Sequence, residues 1–298
     1  MAKPKNQPLW QPTEDQIRRS NMTAFMGLVA DRWQIDIPDT DTLHDFSVSE
    51  RGKFWQSVID FAGIKAETWG KRALMDADLM PGAKWFPDAR LNFAENMLQN
   101  RGGQDALVFW GEDKVKRRFT FDEVHARVSV LAQALTAAGL KPGDRVAGYL
   151  PNMPETIIAM LAASSIGAVW SSCSPDFGVT GVLDRFGQIE PKVLFAADGY
   201  RYNDKRHDSL EKTAAIVAEL PDLKTTVIIP YGDEDPSPQT FSGAVLLDDF
   251  TEGFMPGPIE FRQLPFDHLP YLLFPSGRPG PPKRLLHPPP APCPTPPP

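Results

Sequence analysis

The chain has 298 residues, 42% of them hydrophobic and 23% charged, proportions of a soluble globular protein with material for one large domain or two modest ones. A net charge of −7 argues against nucleic acid or an anionic membrane as the main partner, and no apolar run reaches the roughly 18 residues that a membrane-spanning helix needs. Two cysteines, Cys173 and Cys293, do not make a disulfide scaffold, and five scattered histidines lack metal-ligand spacing.

Residues 1–7 are basic without an apolar core behind them, so no secretory signal is expected and the cytoplasm is the default compartment. Residues 1–104 read as a mainly helical, aromatic-rich region. Thr13 is placed to cap a helix reaching Trp33, with Ile17, Met22, Phe25, Met26 and Val29 as its apolar stripe. Ser47 or Ser49 is expected to open the next, in which Phe54, Trp55, Val58, Ile59 and Phe61 recur at helical spacing until Gly63. A short third helix is expected over 91–99. Trp10, Trp33, Trp55, Trp69 and Trp85 are expected to serve as core or docking residues rather than as ligand contacts.

From Ala106 strand and helix alternate. Strands are expected over 106–110 and 118–121. Thr120 or Asp122 then begins an amphipathic helix carrying Val124, Val128, Leu131, Leu135 and Ala138, closed by Gly139. Lys141-Pro142-Gly143-Asp144 is a turn. Further strands are expected over 145–150, 168–171, 192–197, 225–230 and 244–247, and helices from Pro154 to 166, over 181–189 and over 209–220. The rest of 239–268 reads as irregular. The order predicts an α/β fold: an N-terminal helical region followed by a partial parallel sheet covered by helices.

Residues 271–274 form a short apolar strand that runs into Ser276-Gly277, then Gly280 and Pro282-Lys283. Strand, glycine loop, lysine is the ordering of a phosphate cradle, in which glycines let backbone N–H groups approach a polyphosphate. Residues 275–298 hold 12 of the 31 prolines, so residues 288–298 are expected to be extended and disordered.

Four segments together resemble the acyl-CoA synthetases of the adenylate-forming superfamily. The first is Trp85-Phe86-Pro87 through Leu91-Asn92-Phe93-Ala94-Glu95-Asn96. The second is Phe119-Thr120-Phe121-Asp122-Glu123-Val124 with Lys141 to Val146 and Pro151-Asn152. The third is Gly167 to Gly178, whose Ser174-Pro175-Asp176-Phe177-Gly178 run resembles the acetoacetate-activating branch; acetate-activating members usually carry a Phe-Gly-Gly-type run there. The fourth is the glycine loop.

The resemblance implies an acetoacetate–CoA ligase: ATP and the acid give an acyl-adenylate and pyrophosphate, Mg²⁺ shields the phosphates, and CoA displaces AMP. It implies an incomplete AMP-binding domain over 105–287. It places Ser276, Gly277, Gly280 and Lys283 on the ATP phosphates, and Arg201 and Lys205 on CoA. No catalytic or metal-ligating residue is assigned. Partners are expected to be these small molecules, with no nucleic acid and no membrane.

Pro275, Arg278 and Pro279 stand where the family has small hydroxylated residues, which removes hydroxyls and two backbone donors. Their loss is expected to cost roughly a few kcal/mol of nucleotide affinity. The motifs of the family's second half, including its adenylation lysine, have no counterpart among these residues. The 298-residue polypeptide alone is therefore expected to be inactive. Two alternatives stand beside this: another short- or medium-chain acyl-CoA synthetase, and a non-catalytic module that keeps affinity for CoA or nucleotide.

Overall fold

The computed structural model describes residues 8–112, 114–231 and 241–274, and the backbone of 285–287. Ser276, Gly277, Gly280, Lys283 and the proline-rich segment 288–298 lie outside the described residues. Two compact units are present: residues up to Ile64 with Gly70–Pro87, and Lys65–Trp69 with residues from Asp88 on.

The first unit carries helices Glu14–Arg18, Asn21–Trp33, Thr40–Ser49 and Arg51–Ala62. The single helix expected from Thr13 to Trp33 is broken in two. Thr13 caps the first piece through a capping box with Gln16, and Ser20 restarts the chain by accepting from the Thr23 N–H at 3.1 Å. Ile17 and Met22 flank the break and remain 50% exposed, whereas Phe25 and Val29 are buried. Ser47 and Ser49 do not open a helix. They end the Thr40–Ser49 helix, which Asp39 caps by accepting from the Thr42 N–H at 2.8 Å, and their hydroxyls donate back to the carbonyls of His44 and Asp45. Gly63 closes the Arg51–Ala62 helix at φ 62°, as its position predicts. Phe25 meets Phe54 and Phe61 edge-on at 5.7 and 5.3 Å. Trp33 donates its indole N–H to Ser57 Oγ at 2.8 Å, while Trp10 is 72% exposed.

The second unit is built on one sheet. In chain order its strands are β1 Arg145–Tyr149, β2 Val169–Cys173, β3 Val193–Ala197, β4 Thr225–Ile229, β5 Ala244–Leu246, β6 Tyr271–Leu273 and β7 Leu285–His287. Their spatial order is β5-β4-β3-β1-β2-β6-β7; the first six run parallel and β7 returns antiparallel. The helices that cover it are α1 Phe121–Ala137, α2 Pro154–Ser165, α3 Val179–Phe186 and α4 Leu210–Ala218.

Alternation along the strands assigns the faces. Val146, Trp170, Phe195 and Val227 pack with α1 and α2. Ala147, Tyr149, Leu194 and Ile228 pack with Val182 and Phe186 of α3 and Ile216 of α4. Of the two sequence options for the start of α1, Thr120 is the cap: it accepts from the Glu123 N–H, and Glu123 accepts from the Thr120 N–H at 2.7 Å. Asp144 fixes the turn before β1, accepting from the Lys141 N–H at 2.8 Å and from Lys192 Nζ at 2.6 Å.

Gly148 lies on the α1/α2 face of β1 because the indole of Trp170 occupies the space of its side chain. A Cβ there would stand 2.6 and 2.7 Å from two ring atoms. Trp170 is itself 3% exposed and cannot swing out. Gly148→Ala is therefore expected to cost about 1–3 kcal/mol, by overpacking. Urea titration of the two proteins checks this, and an unchanged midpoint would contradict it.

Three features depart from expectation. Leu91 is not helical: Arg90–Leu91 pairs antiparallel with Leu264–Pro265, and the helix that follows is Phe93–Met97. The segment after β3 forms an antiparallel ribbon, Gly199–Tyr202 against Lys205–Asp208, where no strand was expected. Leu247–Thr251 is a short helix inside the stretch read as irregular.

Asn92 joins distant parts of this unit. It is 1% exposed, and its Oδ1 accepts from the Glu95 N–H. Its side-chain amide donates to the carbonyls of Ser164, Ser165 and Arg262 at 3.1, 3.0 and 2.8 Å. The Arg262 N–H in turn donates to the Ser165 carbonyl at 2.8 Å. The free carbonyls at the end of α2 are thereby satisfied from outside the helix.

Candidate functional site

Six parallel strands bring their following loops to one edge of the sheet. The connection from β1 to β2 moves one way along the sheet, and β2 to β3 crosses back past β1. At such a reversal the outgoing loops part and leave a crevice, where open α/β sheets bind ligands. Here the crevice is bordered by the ends of β1, β2 and β3, and β6 lies beyond β2.

Each border comes from local sequence. β1 ends in Tyr149, which is fully buried at 0% exposure. Its hydroxyl lies 2.8 Å from the Pro175 carbonyl and 2.7 Å from the Phe177 carbonyl, in the loop that follows β2. Burial, joined by the charges of Tyr200 and Asp176, pushes its pKa up to about 12, so the hydroxyl keeps its proton. Cys173, the last residue of β2, is 5% exposed, and burial raises its pKa to about 11. It packs as a small hydrophobe, as its surroundings predict, and is not an activated thiol.

β3 runs into Asp198 and the ribbon. Asp198 accepts from the Tyr231 N–H at 2.8 Å and from Arg206 at 3.1 Å, which ties the ribbon base to the end of β4. At the tip Asn203 and Asp204 adopt φ 53° and 58°. Both of their N–H groups donate to the Glu112 carboxylate, at 2.9 and 3.0 Å. The register sets Arg206 opposite Arg201 and Lys205 opposite Tyr202. Cross-strand partners share a face, so Arg201 and Lys205 stand on opposite faces of the ribbon. The two sequence-derived CoA candidates are thus on one element but not on one surface, and the neighbour of Arg201 on its own face is Arg206.

β6 is fixed by the Ser171 hydroxyl, which donates to the Leu272 carbonyl at 3.0 Å, and by the Trp170 N–H, which donates to the Pro270 carbonyl at 2.9 Å. It delivers Phe274, the residue that opens the glycine loop, to the carboxyl edge. The ATP-phosphate candidates Ser276, Gly277, Gly280 and Lys283 follow it outside the described residues. Tyr149, Asp198 and Glu112 escaped the sequence analysis. A tyrosine ending an otherwise apolar buried strand must still satisfy its hydroxyl, and that was the available signal.

A parallel sheet whose strand order reverses at β1, with β6 leading toward its carboxyl edge, is the architecture of nucleotide-binding α/β proteins. The AMP-binding enzyme family model matches residues 93–288, and the chain belongs to that family. The model of the acetyl-coenzyme A synthetase N-terminus matches residues 40–97. An acetoacetyl-coenzyme A synthetase of Rhizobium meliloti (strain 1021) is 51% identical over 281 residues, covering 94% of this chain and 43% of that protein. The acetoacetyl-CoA synthetase of Danio rerio is 38% identical over 289 residues, covering 94% and 42%. The solved structure of acetoacetyl-CoA synthetase from Streptomyces lividans superposes with a TM-score of 0.88 at 38% identity, covering 94% of this chain and 43% of that one. The chain thus spans well under half the length of these relatives.

Proposed function

We propose that the chain supplies the phosphate- and CoA-facing part of an acetoacetate–CoA ligase. It is organised as a helical region over 1–104, an AMP-binding portion over 105–287 and a proline-rich segment over 288–298. The observation that carries this reading is the 51% identity to an acetoacetyl-coenzyme A synthetase across 94% of the chain. The placement of β6, which leads into the glycine loop at the carboxyl edge, supports it.

The reaction proceeds in two steps. An acetoacetate oxygen attacks the α-phosphorus of ATP and expels pyrophosphate; the CoA thiol then attacks the acyl carbon, AMP leaves, and the thiol proton passes to solvent. Both steps move charge on phosphate oxygens, so the demand on the protein is chiefly for positioned donors. In this reading Ser276, Gly277, Gly280 and Lys283 hold the ATP phosphates, and Arg201 and Lys205 hold CoA. Mg²⁺ would shield the phosphates. Among the described residues no group of three or more His, Cys, Asp or Glu could hold a metal ion, and no step is assigned to Mg²⁺. Among the described residues no helix is long and apolar enough to cross a membrane. The reading places the protein in the cytoplasm with acetoacetate, ATP and CoA as its partners.

Titration calorimetry of the 298-residue polypeptide with CoA, AMP and ATP tests the binding part, and measurable heat with CoA is expected. Exchange of pyrophosphate into ATP with acetoacetate present is expected to stay at background, because Pro275, Arg278 and Pro279 replace loop hydroxyls and donors. Binding of neither CoA nor ATP would sink the reading. Clear exchange would overturn the expected inactivity.

A further inference from the structure

We infer that Tyr149 is a positioning residue for CoA: its hydroxyl sets the conformation of the 174–178 loop, which borders the ribbon at the carboxyl edge. The inference rests on the proposed CoA site and adds a residue that neither the motifs nor the family match assigns.

The hydroxyl is aimed at one loop. Its partners are the Pro175 and Phe177 carbonyls, which flank Asp176, and its single proton is shared between them. A phenylalanine would fill the same buried volume, so packing does not explain the hydroxyl. The loop has few other fastenings. The Phe177 N–H donates to the Ser174 carbonyl at 3.2 Å, and Pro175 has no N–H to give. The Phe177 ring is 39% exposed and lies under the Arg185 guanidinium, 4.5 Å from the ring centroid. The next residue, Gly178, is the N-cap of α3 and offers no side-chain bond to it.

The strand order fixes what this loop separates. In the run β3-β1-β2-β6 it follows β2, so it stands between the ribbon after β3 and Phe274 at the end of β6. Asp176 lies close enough to the ribbon for its charge to act on Tyr200 as well as on Tyr149. Tyr200 stacks on His207 at 5.0 Å, which makes that side of the ribbon a rigid wall. A ligand reaching from the ribbon's cations toward the adenylate must cross the 174–178 loop. CoA has that extended shape, with phosphates at one end and a thiol at the other, whereas in the proposed function AMP lies on the β6 side alone. A loop held from below by one buried hydroxyl therefore affects CoA more than AMP.

The test is Tyr149→Phe in the 298-residue chain, read by calorimetry and by amide hydrogen exchange. CoA affinity is expected to fall about fivefold, the worth of one typical hydrogen bond, with AMP affinity unchanged. Exchange at Phe177 and Gly178 is expected to quicken about tenfold with that of α1 unaltered. Pro175→Gly loosens the loop from its own side at the cost of one buried ring, so its melting temperature is measured alongside, and the same selective loss of CoA is expected. Equal losses for CoA and AMP that follow a lowered melting temperature would make Tyr149 merely structural and overturn the inference, as would unchanged loop exchange. Failure of the unsubstituted chain to bind CoA would instead overturn the CoA reading itself.

Discussion

Replacing Arg117 with alanine is expected to lower the unfolding free energy by about 3–5 kcal/mol. Arg117, on the Val115–Thr120 strand, grips Glu155 at the start of α2 through two nitrogens, at 2.6 and 2.9 Å. The Glu155 side chain is 7% exposed. It borders a pocket of about 280 Å³ that Val130, Leu131, Ile158, Ile229 and Leu247 line together with Arg127, Asp248 and Thr251. Alanine would leave a buried carboxylate without its bidentate partner. It would also vacate the place between Phe109 and Phe119, whose ring centroids lie 5.4 and 5.9 Å from the guanidinium carbon. Removing both charges should be far milder, because most of the penalty belongs to the stranded carboxylate. Guanidinium denaturation of Arg117→Ala, Glu155→Leu and the double variant gives the coupling. A double variant no more stable than Arg117→Ala would contradict this account.

Phe195→Ala is expected to cost a similar amount, about 3–5 kcal/mol, through loss of transfer energy and the void left behind. Phe195 is fully buried on β3, an interior strand flanked by β4 and β1. Its ring lies 6.3 Å from that of Trp170 and 6.3 Å from that of Phe250, so it joins the middle of the sheet to the helix after β5. Neighbouring strands hold the backbone on both sides, which limits how far the site can collapse. A calorimetric melting temperature within about 2 °C of the parent would be incompatible with this packing, since 1 kcal/mol moves a domain of this size by roughly that amount.

Much of the sheet was legible because each cue acts locally. Thr120 and Asp122 bracketed the start of α1, Pro154 marked the start of α2, and the apolar runs through β1, β3 and β4 read as buried parallel strands. Where two cues compete, the sequence is less decisive. Thr13 and Ser20 are both good caps seven residues apart, and the chain uses both. Asp39 was as good a cap as Ser47, but the apolar stripe after Phe54 drew the helix start to the wrong serine. The ribbon after β3 depends on Asn203 and Asp204 turning left-handed under the Glu112 carboxylate, a residue about 90 positions away whose role only the fold reveals. For the candidate site, the family motifs pointed to the segments that follow β2, β3 and β6. They could not show that Arg201 and Lys205 face apart, because that follows from the cross-strand register, nor that Tyr149 grips the 174–178 loop.

The side-chain amide of Asn92 has a consequence for the order in which this chain acquires its structure during synthesis. It gathers the carbonyls of residues 164, 165 and 262 at residue 92, and the Arg90 guanidinium likewise donates to the Gln263 carbonyl across 173 positions. A ribosome would have to release residue 265 before Arg90–Leu91 found its partner strand. Until then β1–β4 can assemble with α1–α4, but the segment leading into the unit has nowhere to dock. Closing a loop of that length is slow relative to the local α–β pairings, so this seam is expected to set the folding rate of the second unit.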